Sequence, residues 1–447
     1  MPAPAPAADS PLDHAMALSA AGQHEAALRH GGALLQSDPG SPPALLLSAR
    51  ALAALGRPEA SMDALRVCVG RAIDAGNLPL AVAACCEAKA LGDDPSAQLD
   101  AIAAAFASTS PRLLHHGATP PELGAHDEFE PLPSKLAGAA LLAKVEELLR
   151  AAKRRFETDQ IERDVDPKFA AHPLFSSLTE PQLRALVGIF EVSTVPAGAV
   201  VIEQGTSGAE AYMLARGQLE VRRALDEDGE RTVQLAVLGS GTLFGEMALL
   251  SRSPRAASVI ARRPSVILVA RKDALDKVAE SQPRVGELFA EHCRRRMVEN
   301  LVRTSSILRA VRPDERPILV ERFTTRTFEQ GEPLIVQGRE SEGLHLIASG
   351  EVEVVHDEGD DTTLIARLGV GEVVGEVALV LRRPSTANVV AACPTVTLHL
   401  PRDHFQELIR QHPAILAQLY ELAVKRDEET TTIVAQEATE ADDFVLI

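Results

Sequence analysis

Tryptophan is absent from this 447-residue chain, tyrosine occurs twice, and aromatic residues make up 3% of the whole. Recognition of nucleic-acid bases on platforms of several stacked aromatic rings is thereby excluded. Positive charge is also short: 45 Lys and Arg face 63 Asp and Glu, a formal net charge of −18. A broad nucleic-acid or anionic-membrane surface needs a basic footprint that this balance does not supply. A small anion needs only a local positive spot, so that class stays open. Long apolar runs are missing as well; the best stretch, Leu136 to Leu149, is interrupted by Lys144, Glu146 and Glu147, which excludes a membrane-spanning helix. The start, Met1 to Gly22, lacks the basic and apolar segments of a signal peptide.

Cysteine is scarce too. Cys68, Cys85, Cys86, Cys293 and Cys393 form no C-x-x-C pair, and an odd count makes a poor disulfide framework, so they read as small buried hydrophobes. These absences predict a cytoplasmic protein. No Walker loop, nucleophile elbow or metal-ligating histidine pair occurs on a predicted helix, so neither an enzyme, a metal nor a cofactor is expected. Arg outnumbers Lys 37 to 8, which, with the abundant alanine, suggests a GC-rich bacterial source.

The length is sufficient for two to four domains at roughly 100–200 residues each. Residues 1–9 read as disordered. Over 10–108, apolar residues recur at three- and four-residue spacing between Gly- and Pro-containing turns, predicting helices. Leu18-x-x-x-Gly22-x-x-Glu25-Ala26 returns as Ala51-x-x-x-x-Gly56-x-x-Glu59-Ala60, with the two glycines 34 residues apart. This period resembles a tetratricopeptide repeat, whose paired helices stack into a partner-binding groove; a plain helical bundle is the alternative. Residues 109–134 are Pro-, Gly- and His-rich and read as a linker. A long helix with its following linker fills 135–169, and would serve either in dimerisation or as a strut on the next domain.

After His172 the chain changes to short β-branched stretches between Gly-rich turns, as in an antiparallel roll. The stretch is duplicated. At an offset of 133, Leu174-Phe175-x-x-Leu178 returns as Ile307-Leu308-x-x-Val311, and Gln204-Gly205 as Gln337-Gly338. Beyond the acidic hairpin tip Asp226 to Glu230 the offset becomes 130, relating Gly245-Glu246-Met247-Ala248-Leu249 to Gly375-Glu376-Val377-Ala378-Leu379. A three-residue change confined to a polar turn is what tandem copies of one β-fold show.

In the first copy, one segment is built for chemistry. Gly245 permits a tight turn, Arg255 offers a planar fork for two phosphate oxygens, and Glu246 needs a donor that a ribose hydroxyl would supply. The segment resembles the phosphate-binding cassette of cyclic-nucleotide-binding domains, as found in catabolite-activator-type regulators, protein kinase A regulatory subunits and nucleotide-gated channels. The resemblance covers about 170–425 and implies a multidomain α+β chain, with a helical domain followed by two β-rolls (jelly rolls) at 170–298 and 299–425. It implies that Glu246 holds the ribose hydroxyl, that Arg255 with the amides around Gly245, Ala248 and Ala257 holds the cyclic phosphate, and that Met247 and Ala256 belong to the same nucleotide-binding segment. Ala256 after the arginine leans the choice to cyclic AMP over cyclic GMP, because the family uses Thr there for guanine. Phe289 and Leu301 are candidates to cap the base.

The second copy keeps Gly375, Glu376, Val377 and Ala378 but has Ser385 in place of Arg255, followed by Thr386. A hydroxyl cannot replace the charged fork, so this site reads as degenerate unless Arg383 curls in to compensate. No DNA-reading element follows either roll. The kinase-blocking Arg-Arg-x-Ala/Ser sequence of the kinase A subunits is missing, Arg154-Arg155-Phe156-Glu157 placing a carboxylate at the small-residue position. Arg262-Arg263-Pro264-Ser265 has a phosphosite pattern but sits at a strand start. Residues 426–447 read as an acidic tail, either disordered with an apolar end or, through Thr430, Thr431 and Thr432, a phosphothreonine motif. The chain therefore reads as a non-enzymatic cyclic-nucleotide sensor that couples the first roll to protein partners bound by the helical domain, and possible homodimer formation is left open. The alternative is a constitutive scaffold with empty rolls.

Overall fold

A computed structural model describes residues 10–114, 130–224, 231–247, 249, 253–305, 312, 322–358 and 361–444. The expected disorder of 1–9, the hairpin tip Asp226 to Glu230, Ala248 and the match at Ile307 to Val311 lie outside the described residues. The chain forms two compact units. The first holds Met1–Gln204, Ala209–Glu246 and Ala257–Ala290; the second holds Gly205–Gly208, Met247–Ala256 and Glu291–Ile447.

The first unit opens with helices α1 (Pro11–Ala20), α2 (His24–Ser37), α3 (Pro42–Ala54), α4 (Pro58–Asp74), α5 (Leu78–Ala90) and α6 (Ser96–Phe106). Prolines start α1, α3 and α4, where the missing N–H is no loss. Gly22 and Gly56, the repeat-marking pair, end α1 and α3 in the left-handed conformation at φ 75° and 76°. Each helix packs on the next. Close approach of α2 and α3 depends on Gly31, where a Cβ would lie 2.4 Å from the Ser48 hydroxyl.

The long helix α7 spans Gly138–Glu162. It packs back on α2, α3 and α4, burying Leu141, Val145, Leu149 and Ala152. Gly70 leaves room for the Phe156 ring, which also lies 5.1 Å under the Arg71 guanidinium. The supposed linker has structure at its start: β1 (Leu113–Leu114) pairs in parallel with β2 (Phe169–Ala170).

Beyond α8 (Glu180–Val187), the first roll contains β3 (Glu191–Val195), β4 (Val200–Ile202), β5 (Glu210–Arg216), β6 (Leu219–Ala224), β7 (Thr232–Leu238), β8 (Leu243–Phe244), β9 (Ser258–Ala261) and β10 (Ser265–Arg271). These form two four-stranded sheets, ordered β3-β10-β5-β8 and β4-β9-β6-β7, around Ile202, Leu214, Leu219, Phe244, Val259 and Ile267. Helix α9 (Lys272–Ser281) and the start of α10 (Pro283–Thr304) follow.

The helical array and the first roll are one body because α5 packs on β3, β5 and β10 and because a buried ion network ties α1 to the sheet. Asp13, 1% exposed, accepts from Arg216 at 2.7 Å and from Arg263 Nε at 2.6 Å. Burial works against the charged carboxylate, yet the two guanidiniums hold its pKa below the ordinary value. Ser265 is fully buried, its hydroxyl donating to the Arg263 carbonyl, so the phosphosite pattern at Arg262 to Ser265 is structural.

The second unit is built on the second roll: β11 (Thr324–Phe328), β12 (Pro333–Ile335), β13 (Gly343–Ser349), β14 (Val352–Glu358), β15 (Asp361–Leu368), β16 (Val373–Val374), β17 (Asn388–Ala391) and β18 (Thr395–Pro401), with helices α11 (Glu376–Leu381), α12 (Arg402–Gln411) and α13 (Pro413–Phe444). Its sheets are ordered β11-β18-β13-β16 and β12-β17-β14-β15, repeating the first roll's order. Leu301, one of the two candidate caps, belongs to this unit's core, with Leu346, Leu398, Phe405 and Leu419. The segment Met247–Ala256 also belongs here: Met247 packs against that core, and the Ser253 hydroxyl donates to Pro394 O at 2.6 Å. The expected acidic tail is helical, because α13 continues to Phe444. The hydroxyls of Thr430, Thr431 and Thr432 donate to carbonyls four residues back, a geometry unlike an extended phosphothreonine motif. No helix among the described residues is long and apolar enough to cross a membrane.

Within this unit, the rings of His345 and His399 lie 4.5 Å apart, tilted by 41°, and His345 Nδ1 lies 3.0 Å from the Thr397 hydroxyl. Burial, reinforced by His399 and Arg326, pushes the His345 pKa down from 6.5 to about 3. The folded state thus binds fewer protons than the unfolded one between those values. Stability is complete above pH 6.5 and is lost progressively as pH falls towards 3. Urea unfolding of the second roll should show about 2 kcal/mol less stability at pH 5 than at pH 7 from this group, and His345→Leu should remove that part of the pH dependence.

Candidate functional site

The two copies place their key residues on the same local frame. Gly205 N–H donates to Arg255 O at 2.8 Å and Arg255 N–H to Thr206 O at 2.9 Å; in the second roll Gly338 N–H donates to Ser385 O at 2.8 Å and Ser385 N–H to Arg339 O at 2.8 Å. Ser385 is therefore the structural counterpart of Arg255. Arg255 is 7% exposed, and its guanidinium lies against the backbone of Gly208, where a Cβ would be 2.3 Å from Nη2. The counterpart of Gly208 at the same offset is Ser341, whose hydroxyl donates to Gly343 O at 2.8 Å. The second copy has lost both the arginine and the space that holds it. The Gly208–Ser341 difference is visible in the repeat alignment, but its link to Arg255 and Ser385 spans more than 40 residues and carries no local motif.

Gly245 follows β8 at φ 72° and Glu246 is 3% exposed; both are in the first unit, as is half-buried Ala257. Met247, Arg255 and exposed Ala256 are in the second. Phe289, the other candidate cap, is buried in the first unit.

The six residues expected to form the second site, Gly375, Glu376, Val377, Ala378, Ser385 and Thr386, do surround one cavity. Gly375 has φ 90°, and a Cβ there would lie 2.7 Å from Gly343 O, so the turn requires glycine. It delivers Glu376 at 1% exposure. Arg426 of α13 donates through Nη1 to Glu376 Oε1 at 2.7 Å and to Val373 O at 2.6 Å. Burial pushes the Glu376 pKa up, and Arg426 offsets part of that. Glu376 Oε2 and the Ser385 hydroxyl are buried without a partner. The cavity measures about 70 Å³, against some 300–1,000 Å³ for small-molecule pockets. Arg383 does not compensate for the missing arginine; it pairs with Asp427 of α13. Sequence reasoning did not find Arg426, since nothing local to the segment points 50 residues downstream.

The family model of the cyclic nucleotide-binding domain matches residues 192–282 and 325–412. The chain carries two cyclic nucleotide-binding domains in tandem. A tetratricopeptide-repeat model matches 18–67, within the helical array. The chain is 31% identical over 236 residues to a cAMP-dependent protein kinase regulatory subunit of Yarrowia lipolytica, covering 53% of this chain and 58% of the relative. A type II regulatory subunit of Drosophila melanogaster is 29% identical over 50% of this chain and 56% of its own. The chain thus spans little more than half the length of these curated relatives. Among solved structures, the regulatory domain of Toxoplasma gondii PKA with cAMP is similar at 23% identity and a TM-score of 0.28, over 56% of this chain and 91% of that one. The bacterial source expected from composition is overturned by relatives that are fungal and insect proteins. Arginine and alanine excess reports codon composition and not lineage.

Proposed function

We propose that the first cyclic nucleotide-binding domain binds cyclic AMP and that this binding regulates a protein partner. The observation that carries the proposal is Arg255, retained and buried beside the glycine that makes room for it. The buried carboxylate of Glu246 after a left-handed Gly245 supplies the ribose acceptor, and Ala256 in place of threonine favours adenine over guanine. The names of the curated relatives support the same ligand and a regulatory role. The partner would dock on the tetratricopeptide-like array. Arg154-Arg155-Phe156-Glu157 lies inside α7 with Phe156 packed at Gly70, so this sequence is unsuited to act as an extended kinase-blocking segment.

Each charge-assisted hydrogen bond contributes roughly 1.5–3 kcal/mol. Arg255→Ala should therefore weaken cyclic AMP binding by about ten- to a hundredfold in calorimetric titration of the full chain. Unchanged affinity would refute the assigned pocket.

A further inference from the structure

The second domain holds a guanidinium against Glu376, the carboxylate whose counterpart in the first domain is Glu246. The apolar stripe of α13, Ile415, Leu419 and Leu422, runs into the core, and three- to four-residue steps carry the same helix face on to Arg426 and Thr430. Both line the cavity with Glu376 and Ser385. Two ion pairs of opposite polarity clamp α13 to the α11 segment: Arg426 gives a guanidinium to Glu376, and Asp427 takes one from Arg383. The repeat alignment puts Arg296 opposite Arg426, so the first domain carries arginines at both places and the second keeps only the helix one. An arginine at 385 would put a second positive charge in this cavity; serine leaves Arg426 as the partner of the buried carboxylate.

We propose that the second domain's pocket is a guanidinium site filled by the chain's own C-terminal helix, which closes that domain to nucleotides. The acceptor is Glu376, the occupant is Arg426, and docking of α13 from residue 426 onward depends on the pair. This inference does not rest on ligand binding by the first domain.

Hydrogen exchange of the full chain over 424–435 tests it, with 413–423 as internal reference. Both Arg426→Ala and Glu376→Gln should raise exchange at 424–435 by tenfold or more while leaving 413–423 protected. Millimolar ethylguanidinium should restore protection to Arg426→Ala but not to the Arg426→Ala/Glu376→Gln double variant. Saturating cyclic AMP should leave the wild-type protection in place. Wild-type exchange in either single variant, rescue in both backgrounds or in neither, or loss of wild-type protection on adding cyclic AMP would overturn the proposal.

Discussion

Asp13→Ala should destabilise the first unit by about 3–5 kcal/mol, the range for removing one partner of a buried ion pair and leaving the other charge unpaired. Arg216 is partly buried, its side chain 15% exposed, and burial already disfavours its charge, with Asp13 as the group that offsets this. Arg263 loses the same partner. Thermal unfolding should show the first-unit transition lowered by roughly 10 °C at a few degrees per kcal/mol. The repeat supplies the control. At the positions of Arg216 and Arg263, the second roll has Ser349 and Cys393. The triple variant Asp13→Ala/Arg216→Ser/Arg263→Cys should therefore recover a large part of the loss, because no uncompensated charge remains buried. A triple variant no more stable than Asp13→Ala would show that the network is not what joins array to roll. The folded pKa of Asp13 is depressed, so this contribution is present above about pH 4 and is lost as pH falls below it.

Gly208→Ser should weaken cyclic AMP binding at the first domain by about ten- to a hundredfold while leaving it folded. The three atoms nearest that Cβ all belong to the tip of the flexible Arg255 side chain, so the cost to stability is small and the guanidinium moves instead. A displaced guanidinium loses its directed hydrogen bonds, and affinity should fall by about ten- to a hundredfold, matching Arg255→Ala. The double variant Gly208→Ser/Arg255→Ala should then bind no worse than either single one, since both act on the same contact. Additive losses in the cycle would mean that Gly208 acts by some other route. Wild-type affinity in Gly208→Ser would show that Arg255 does not need this seat.

What the chain revealed before folding was its internal duplication. Period-two strands, turn glycines and a length change confined to a polar hairpin tip defined two rolls, and the difference between Arg255 and Ser385 was visible by alignment alone. Local patterns also marked the helical array, since its prolines and glycines punctuate each helix directly. Pairings between distant residues were not legible in the same way. Asp13 meets Arg216 and Arg263 across some 200 and 250 positions, and Arg426 meets Glu376 across 50; no period or motif encodes such partners. The helical tail is hidden in the sequence for a related reason. Its acidic, Thr-rich composition resembles solvated chain, yet α13 starts from a buried apolar stripe and extends into Arg426 and Thr430, where the pocket gives it two further anchors.

Equilibrium titration of the intact chain with cyclic AMP, read as stoichiometry, bears most directly on a working first domain beside a self-closed second one. One nucleotide per chain is expected, abolished or weakened together with Arg255. Two nucleotides per chain, or one that persists at full affinity in Arg255→Ala, would contradict it.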